Sequence, residues 1–231
     1  GIEAINNLGN PAALIGHSLG EYTALCLSGY LDYKDALKVI AVRGEEMHKA
    51  VENSNTTMAA VLTGDLEATI EEIEKLNNQG IQIWISNFND PSQIVISSYI
   101  DDMNYLKSNP KALGAKRVIP LEVAGAFHTE IVSSAKKPLE DTLNSIDISE
   151  GKIPVYMNVD AKKVEVSTLK ESLVNQIDNS VLFNQQIEFV NNDIDPDLWC
   201  HIGPGNVTAG MVRKSISYKD LKVINSLESS K

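Results

Sequence analysis

Chemistry concentrates at Gly16-His17-Ser18-Leu19-Gly20, where a serine sits between two glycines. The apolar run Ala12-Ala13-Leu14-Ile15 precedes it, and Glu21-Tyr22-Thr23-Ala24-Leu25 follows. A short buried strand that enters a tight turn and leaves as a helix lifts its serine clear of the backbone, as in a nucleophile elbow. The N-terminus of such a helix aims unpaired N–H groups and a positive dipole end at any oxyanion formed there. Read this way, Gly16 and Gly20 must both lack side chains, and Ser18 is set to form an ester.

A serine nucleophile needs a base within hydrogen-bond reach, and the chain has four histidines. His17 lies in the elbow itself, pointing away from Ser18 in an extended segment, and is expected to shape the pocket. His48 falls late in a helix among charged neighbours, and His201 in an apolar strand, so surface and core roles are expected of them. His128 closes Val123-Ala124-Gly125-Ala126-Phe127-His128 just before a helix, where sites gather in open α/β sheets. His128 is therefore the expected base. No Asp or Glu stands out as a third member, since Asp160 and Asp195 lie in polar segments. A backbone carbonyl can fix the imidazole tautomer instead, which gives a Ser–His dyad. Arg43, beside the apolar stripe of Ala41, Val42 and Met47 and next to Gly44, reads either as a solvated helix residue or as a clamp. Facing the serine, its planar fork would hold a carboxylate at two points.

The elements that must position these groups follow from periodicity. Helical spacing runs from Gly20 to about Val51, broken at Ser28-Gly29-Tyr30, with Asp32 as cap of a helix over Tyr33 to His48. From Thr57 the pattern becomes strand (57–62), helix (66–76), strand (81–85), strand (93–97), helix (100–106) and strand (116–123). That order, β-α-β-β-α-β, predicts a ferredoxin-like subdomain over 54–123, inserted between core pieces 1–53 and 124–231. Glu130 to Leu143 reads as a helix kinked at Pro138, 153–158 as a strand, 168–176 as a helix, 198–202 as a last strand, and 226–231 as a polar tail.

A chain of 231 residues with 43% hydrophobic and 22% charged residues is ordinary globular protein. A formal net charge of −11 argues against a nucleic-acid partner. No stretch is long and apolar enough to predict a membrane span, and no secretory leader is visible. Cys26 and Cys200 read as reduced thiols in a cytoplasmic protein, with no metal framework expected. An α/β sheet ordinarily supplies strands ahead of such an elbow, so a preceding segment is expected to be missing here.

Taken together, these residues resemble the malonyl-CoA:acyl carrier protein transacylases and the acyltransferase domains of polyketide synthases. Gly16-His17-Ser18-Leu19-Gly20-Glu21 is similar to the family's nucleophile motif, and Val42-Arg43-Gly44 with Met47 to its arginine motif. Asn87 to Ser97 resembles its subdomain hairpin, and Ala126-Phe127-His128 its base motif in the malonyl-selecting form. Asn158-Val159-Asp160, Leu173-Val174-Asn175-Gln176 and Ile202-Gly203-Pro204-Gly205 are similar to its later signatures.

The resemblance implies an α/β fold, an α/β-hydrolase-like core with the inserted ferredoxin-like subdomain. It implies ping-pong malonyl transfer from malonyl-CoA to the phosphopantetheine thiol of an acyl carrier protein, in fatty-acid or polyketide synthesis. Coenzyme A then enters as a thioester substrate, with no bound cofactor. Ser18 and His128 would be catalytic. Arg43 would hold the malonyl carboxylate, and Leu19, Met47, Phe127 and His17 would line the substrate site. The Gln176 backbone carbonyl would orient His128. One departure is visible: the family's Gly-Gln-Gly-Ser-Gln type segment, which adds an oxyanion N–H beside that of Leu19, does not occur. Loss of one such donor costs on the order of a hundredfold, so poor activity is expected of these residues alone. An acyl hydrolase of the same fold and a non-catalytic carrier-docking module are the competing readings. Docking of an acidic carrier is expected on Lys136, Lys137, Arg213 and Lys214.

Overall fold

In the computed structural model, residues 1–216 and 220–226 are described. The first helix, α1 (Ile2–Leu8), leads to a two-residue strand, β1 (Leu14–Ile15), and α2 (Leu19–Ser28) starts directly past Ser18. Helix α3 (Tyr33–Val51) is capped by the Asp32 side chain, which accepts from the Lys34 N–H. Its buried residues Val39, Arg43, Met47 and Val51 recur every four positions, one stripe against the core. That stripe is what carries a charged side chain inward.

Next come β2 (Thr56–Leu62), α4 (Leu66–Asn78), β3 (Ile83–Asp90), β4 (Gln93–Tyr99), α5 (Ile100–Ser108) and β5 (Arg117–Pro120). They build an antiparallel sheet in the order β3-β4-β2-β5. Alternate residues Ala59 and Val61 of β2, and Ile94 and Ile96 of β4, pack with Ile73 and Leu76 of α4 and Met103 and Leu106 of α5. This is the ferredoxin-like arrangement that the strand and helix order implied.

The chain then supplies α6 (Lys136–Asn144), β6 (Val155–Tyr156), α7 (Leu169–Asn175), α8 (Phe183–Ile194), β7 (Leu198–Ile202), α9 (Val207–Ser215) and β8 (Asp220–Ile224). Strand β1 pairs in parallel with β6, and β7 with β8. A second core cluster gathers Leu25, Val39, Met47, Leu139, Leu143, Val155 and Leu173 from α2, α3, α6, β6 and α7.

Several sequence expectations need correction. The helix predicted over 130–143 is a 3-10 turn, Glu130–Ala135, followed by α6. Pro138 falls in the first turn of α6, where helix N–H groups lack acceptors anyway, so it breaks nothing. The strand expected at 153–158 shrinks to two residues because the chain folds back, with Met157 N–H on Lys162 O and Ala161 N–H on Met157 O. The strand 198–202 is not the last, since β8 follows it. Helices α1, α8 and α9 carried no signal that periodicity picked out. The predicted tail 226–231 lies, beyond Ser226, outside the described residues.

The two elbow glycines also differ. A Cβ on Gly16 would stand 2.1 Å from the Gly20 carbonyl carbon, whereas a Cβ on Gly20 would meet nothing within 4 Å. Only Gly16 is sterically obligatory. Urea unfolding should show Gly16→Ala destabilised by about 3 kcal/mol, the upper end of overpacking effects. Gly20→Ala should be neutral or more stable by up to about 1 kcal/mol, because alanine is the better helix former.

Candidate active site

Ser18 sits at φ 51° and ψ −105°, between β1 and α2. A non-glycine residue persists there only where its surroundings hold it. Here the holder is Asn158, fully buried in the turn after β6. Its Oδ1 accepts the Ser18 N–H at 2.7 Å, and its Nδ2 donates to Gly16 O at 2.7 Å. One carboxamide therefore clamps the backbone on both sides of the turn.

The Ser18 Oγ lies 2.8 Å from His128 Nε2. His128 is itself at φ 59°, in a loop pinned by the Ala126 N–H on Thr56 Oγ1 and by Thr129 Oγ1 on Ala126 O. Its Nδ1 is 2.8 Å from Gln176 O. A carbonyl oxygen only accepts, so Nδ1 carries the proton and Nε2 offers its lone pair to the serine hydroxyl.

Arg43 completes the cluster. It is 7% exposed, and its Nη2 donates to Ser18 Oγ at 2.9 Å and to Gln176 Oε1 at 3.0 Å. The guanidinium lies 5.6 Å from the centre of the Tyr22 ring, a cation–π distance, while its Nε is buried without a partner. Its hydrogen-bond acceptors are thus a hydroxyl and a carboxamide. Burial, and then the charge of Arg43, push His128 down to about 3, so its imidazole is neutral at pH 7.

One carboxyl group is buried nearby, and the sequence reading passed over it. Glu21, fully buried in the first turn of α2, accepts the Asn158 N–H on Oε1 and the Gln176 Nε2–H on Oε2, the latter at 2.7 Å. Burial pushes it up to about 8, against the two N–H donors and Arg43, which favour its ionised form. The available signal was spacing: Glu21 lies three residues past Ser18, one helical turn below it. Asn158 was singled out only as part of a signature.

Ser18, His128, Arg43 and Gln176 thus meet where the sequence reading placed them. The Leu19 N–H is among the donors that the start of α2 leaves free, and its side chain is half exposed. His17 donates from Nε2 to Asn89 Oδ1 at 2.9 Å and stands edge-on to Phe183, so it joins the elbow to β3. Phe127 is half-buried against the core cluster.

Met47, expected at the substrate site, is instead buried in that cluster one turn beyond Arg43. Gly44 clears no space, because a Cβ there would meet nothing within 4 Å. His48 is exposed, and His201 Nδ1 pairs with Thr208 Oγ1, away from Ser18.

The expected docking lysines are already engaged. Lys136 bridges to Asp178 at 2.9 Å, Lys214 to the buried Asp90 at 3.1 Å, and Lys137 to Asp141 at 2.6 Å. Exposed pairs such as that of Lys137 are weak, whereas Lys136 and Lys214 tie elements together. Two clefts of about 460 Å³ each flank the cluster region. One is lined by Ile70, Trp84, His128, Asp178 and Ser180. The other, between α1, β1 and β7, contains none of the site residues.

Known proteins resemble this chain in sequence and in fold. Residues 3–228 match the acyl transferase domain, and the chain belongs to that family. It is 38% identical to the malonyl CoA-acyl carrier protein transacylase of Bacillus subtilis over 205 residues, which cover 88% of this chain and 64% of that protein. It is 34% identical over all 231 residues to the transacylase of the same name from Staphylococcus aureus, spanning 74% of its length.

Among solved structures, a malonyl-transacylase in complex with its type II polyketide synthase acyl-carrier protein superposes with a TM-score of 0.90 at 29% identity, over 99% of this chain and 74% of that one. An acyl carrier protein S-malonyltransferase from Vibrio cholerae gives 0.89 at 30% identity, over 99% and 75%. The fold is the α/β class of these enzymes, an α/β-hydrolase-like core with a ferredoxin-like subdomain.

The buried titrating groups predict how stability follows pH. The folded pKa of Glu21, about 8, exceeds its ordinary 4.5, so the native state holds an extra proton between those values and its stabilisation is lost as pH rises. His128, lowered from 6.5 to about 3, adds stability above pH 6.5 that is lost on acidification. The two slopes oppose each other between 4.5 and 6.5. Above pH 6.5 the Glu21 term stands alone, and unfolding should become easier by about tenfold per pH unit up to pH 8. Glu21→Gln should flatten that limb in urea titrations run across the range.

Proposed function

We propose that this chain transfers a malonyl group from malonyl-CoA to the phosphopantetheine thiol of an acyl carrier protein, through an ester on Ser18. The observation that carries the reading is the convergence of His128 Nε2 and Arg43 Nη2 on one hydroxyl oxygen, at 2.8 and 2.9 Å. The names of the relatives, malonyl CoA-acyl carrier protein transacylases, support the substrate pair. The solved complex of one such enzyme with its carrier supports the acceptor.

On this reading Ser18 Oγ attacks the thioester carbonyl while His128 Nε2 takes its proton. The Leu19 N–H meets the carbonyl oxygen as it becomes negative. The C–S bond breaks, His128 returns the proton to the departing thiolate, and malonyl-serine remains. The carrier thiol then gives its proton to His128 and attacks the ester. Ser18 leaves with the proton restored, and the acyl group departs on the carrier.

Arg43 supplies the choice of acyl group. It turns its fork from Ser18 and Gln176 to the malonyl carboxylate, whereas an acetyl group leaves the buried cation short of an acceptor. No bound cofactor is required. The free thiols of Cys26 and Cys200 accord with work in the reducing cytoplasm.

Radiolabelled malonyl-CoA should leave one equivalent of label on Ser18, released by carrier thiol and absent in Ser18→Ala. His128→Ala should slow ester formation by roughly 10²- to 10⁴-fold. Arg43→Ala should lower kcat/KM for malonyl-CoA by about 10- to 100-fold, the worth of a hydrogen bond to a charged group, while acetyl-CoA becomes a better donor. Hydrolysis of acetyl thioesters without any malonyl-serine would overturn the transfer in favour of an acyl hydrolase.

A further inference from the structure

We infer that Glu21 is a positioning residue for the site, acting through Gln176 on both His128 and Arg43. Besides Ser18, Gln176 touches both of these groups: its backbone oxygen takes the His128 Nδ1–H, and its side-chain Oε1 takes the Arg43 Nη2–H. Left to itself, a glutamine side chain turns freely about its terminal torsion, and its oxygen and nitrogen exchange places. Here Nε2 is fixed by Glu21 Oε2 at 2.7 Å and by Ser18 O at 3.0 Å. That leaves Oε1, and not Nε2, facing the guanidinium. The other oxygen of Glu21 receives the Asn158 N–H, and Asn158 Oδ1 in turn holds the Ser18 N–H. One carboxyl group on α2 thus holds the Gln176 carboxamide and the Asn158 backbone, and these two residues meet the Ser18 turn, the arginine and the imidazole.

The chain Arg43–Gln176–Glu21 is also electrostatic. The amide of Gln176 lies with its oxygen toward the cation and its N–H groups toward the carboxyl, so its dipole is aligned by both. Glu21 stands beyond Gln176 without contacting the guanidinium, and the fork stays open to a ligand carboxylate. This assignment rests on the acyl-transfer reading only for the substrate named in the second arm of the test.

The first arm uses a fluorophosphonate, which labels an activated serine whatever its natural substrate. Glu21→Gln keeps the shape but sets an NH₂ against N–H donors, and should slow labelling by about tenfold or more at unchanged active fraction. Gln176→Met removes the side-chain link and leaves the backbone carbonyl, and should slow it comparably. The double variant should be no slower than the worse single one. Losses that multiply, or wild-type labelling by either single variant, overturn the inference. If Glu21→Gln does not fold, the Gln176→Met rate alone decides.

In the second arm, KM for malonyl-CoA should rise in Glu21→Gln and the preference for malonyl over acetyl should fall. A loss of folded protein alone would change neither. Normal fluorophosphonate labelling of the wild type without malonyl uptake would sink the malonyl reading and leave the Glu21 assignment to the first arm.

Discussion

A guanidinium buried to 7% exposure with no carboxylate against it is the constraint around which this molecule is arranged. Such a charge is costly unless its surroundings supply compensating dipoles. Those at Arg43 are the Ser18 hydroxyl, the Gln176 carboxamide and the face of Tyr22, all neutral. Their partial charges offset the cation incompletely, as the unpartnered Nε records. Burial, and after it this same field, lower His128 and so keep the imidazole unprotonated beside the serine. Held by the stripe of α3, the arginine cannot swing out to water, and its neighbours must be built to suit it.

The surrounding fold serves that need by joining two sheets across the site. The Phe88 N–H binds Val181 O, and the Val181 N–H binds Ser86 O, each at 2.9 Å, so β3 adds the segment after Gln176 as a short parallel partner. On the other side His17 reaches Asn89, and Lys214 of α9 reaches Asp90. The hairpin of the four-stranded sheet is therefore stitched to both the nucleophile turn and the strand-like segment that follows the histidine-orienting residue. A displacement of that hairpin would be felt at His17 and at residue 181 together.

How much of this was legible depends on the range of the interaction. Ser18, Arg43 and His128 each stand in a local pattern, an elbow, a helix stripe and a loop before a helix, and each was found. The β-α-β-β-α-β order was equally local, because alternation and helical spacing are written residue by residue. Glu21 and Asn158 were not legible, since their roles consist of contacts 137 to 155 residues apart. A carboxyl in the first turn of a helix has an ordinary explanation at the helix dipole, and nothing nearby contradicts it. The short β6 escaped for the same reason: the chain turns at Met157 and brings Asn158 under Ser18, a tertiary demand invisible in the run Val155-Tyr156-Met157. Gly20 misled in the opposite direction, because symmetry about the serine suggested a steric need that only Gly16 has.

The absence of a carboxylate at His128 Nδ1 follows from the arginine. An aspartate in the place of the Gln176 carbonyl would orient the imidazole well, but Arg43 already bonds that same residue through Oε1. A full negative charge there would draw the guanidinium into a closed ion pair, satisfied before any ligand arrived. It would also raise the histidine by stabilising its cation. A backbone carbonyl fixes the tautomer with a dipole alone and leaves the cation's charge available. The buried carboxyl of Glu21 stands a carboxamide's length further off, where it orders Gln176 without contacting Arg43. The imidazole is thus oriented by a dipole and not by a charge, and that leaves His128 Nε2 and Arg43 Nη2 to share one hydroxyl.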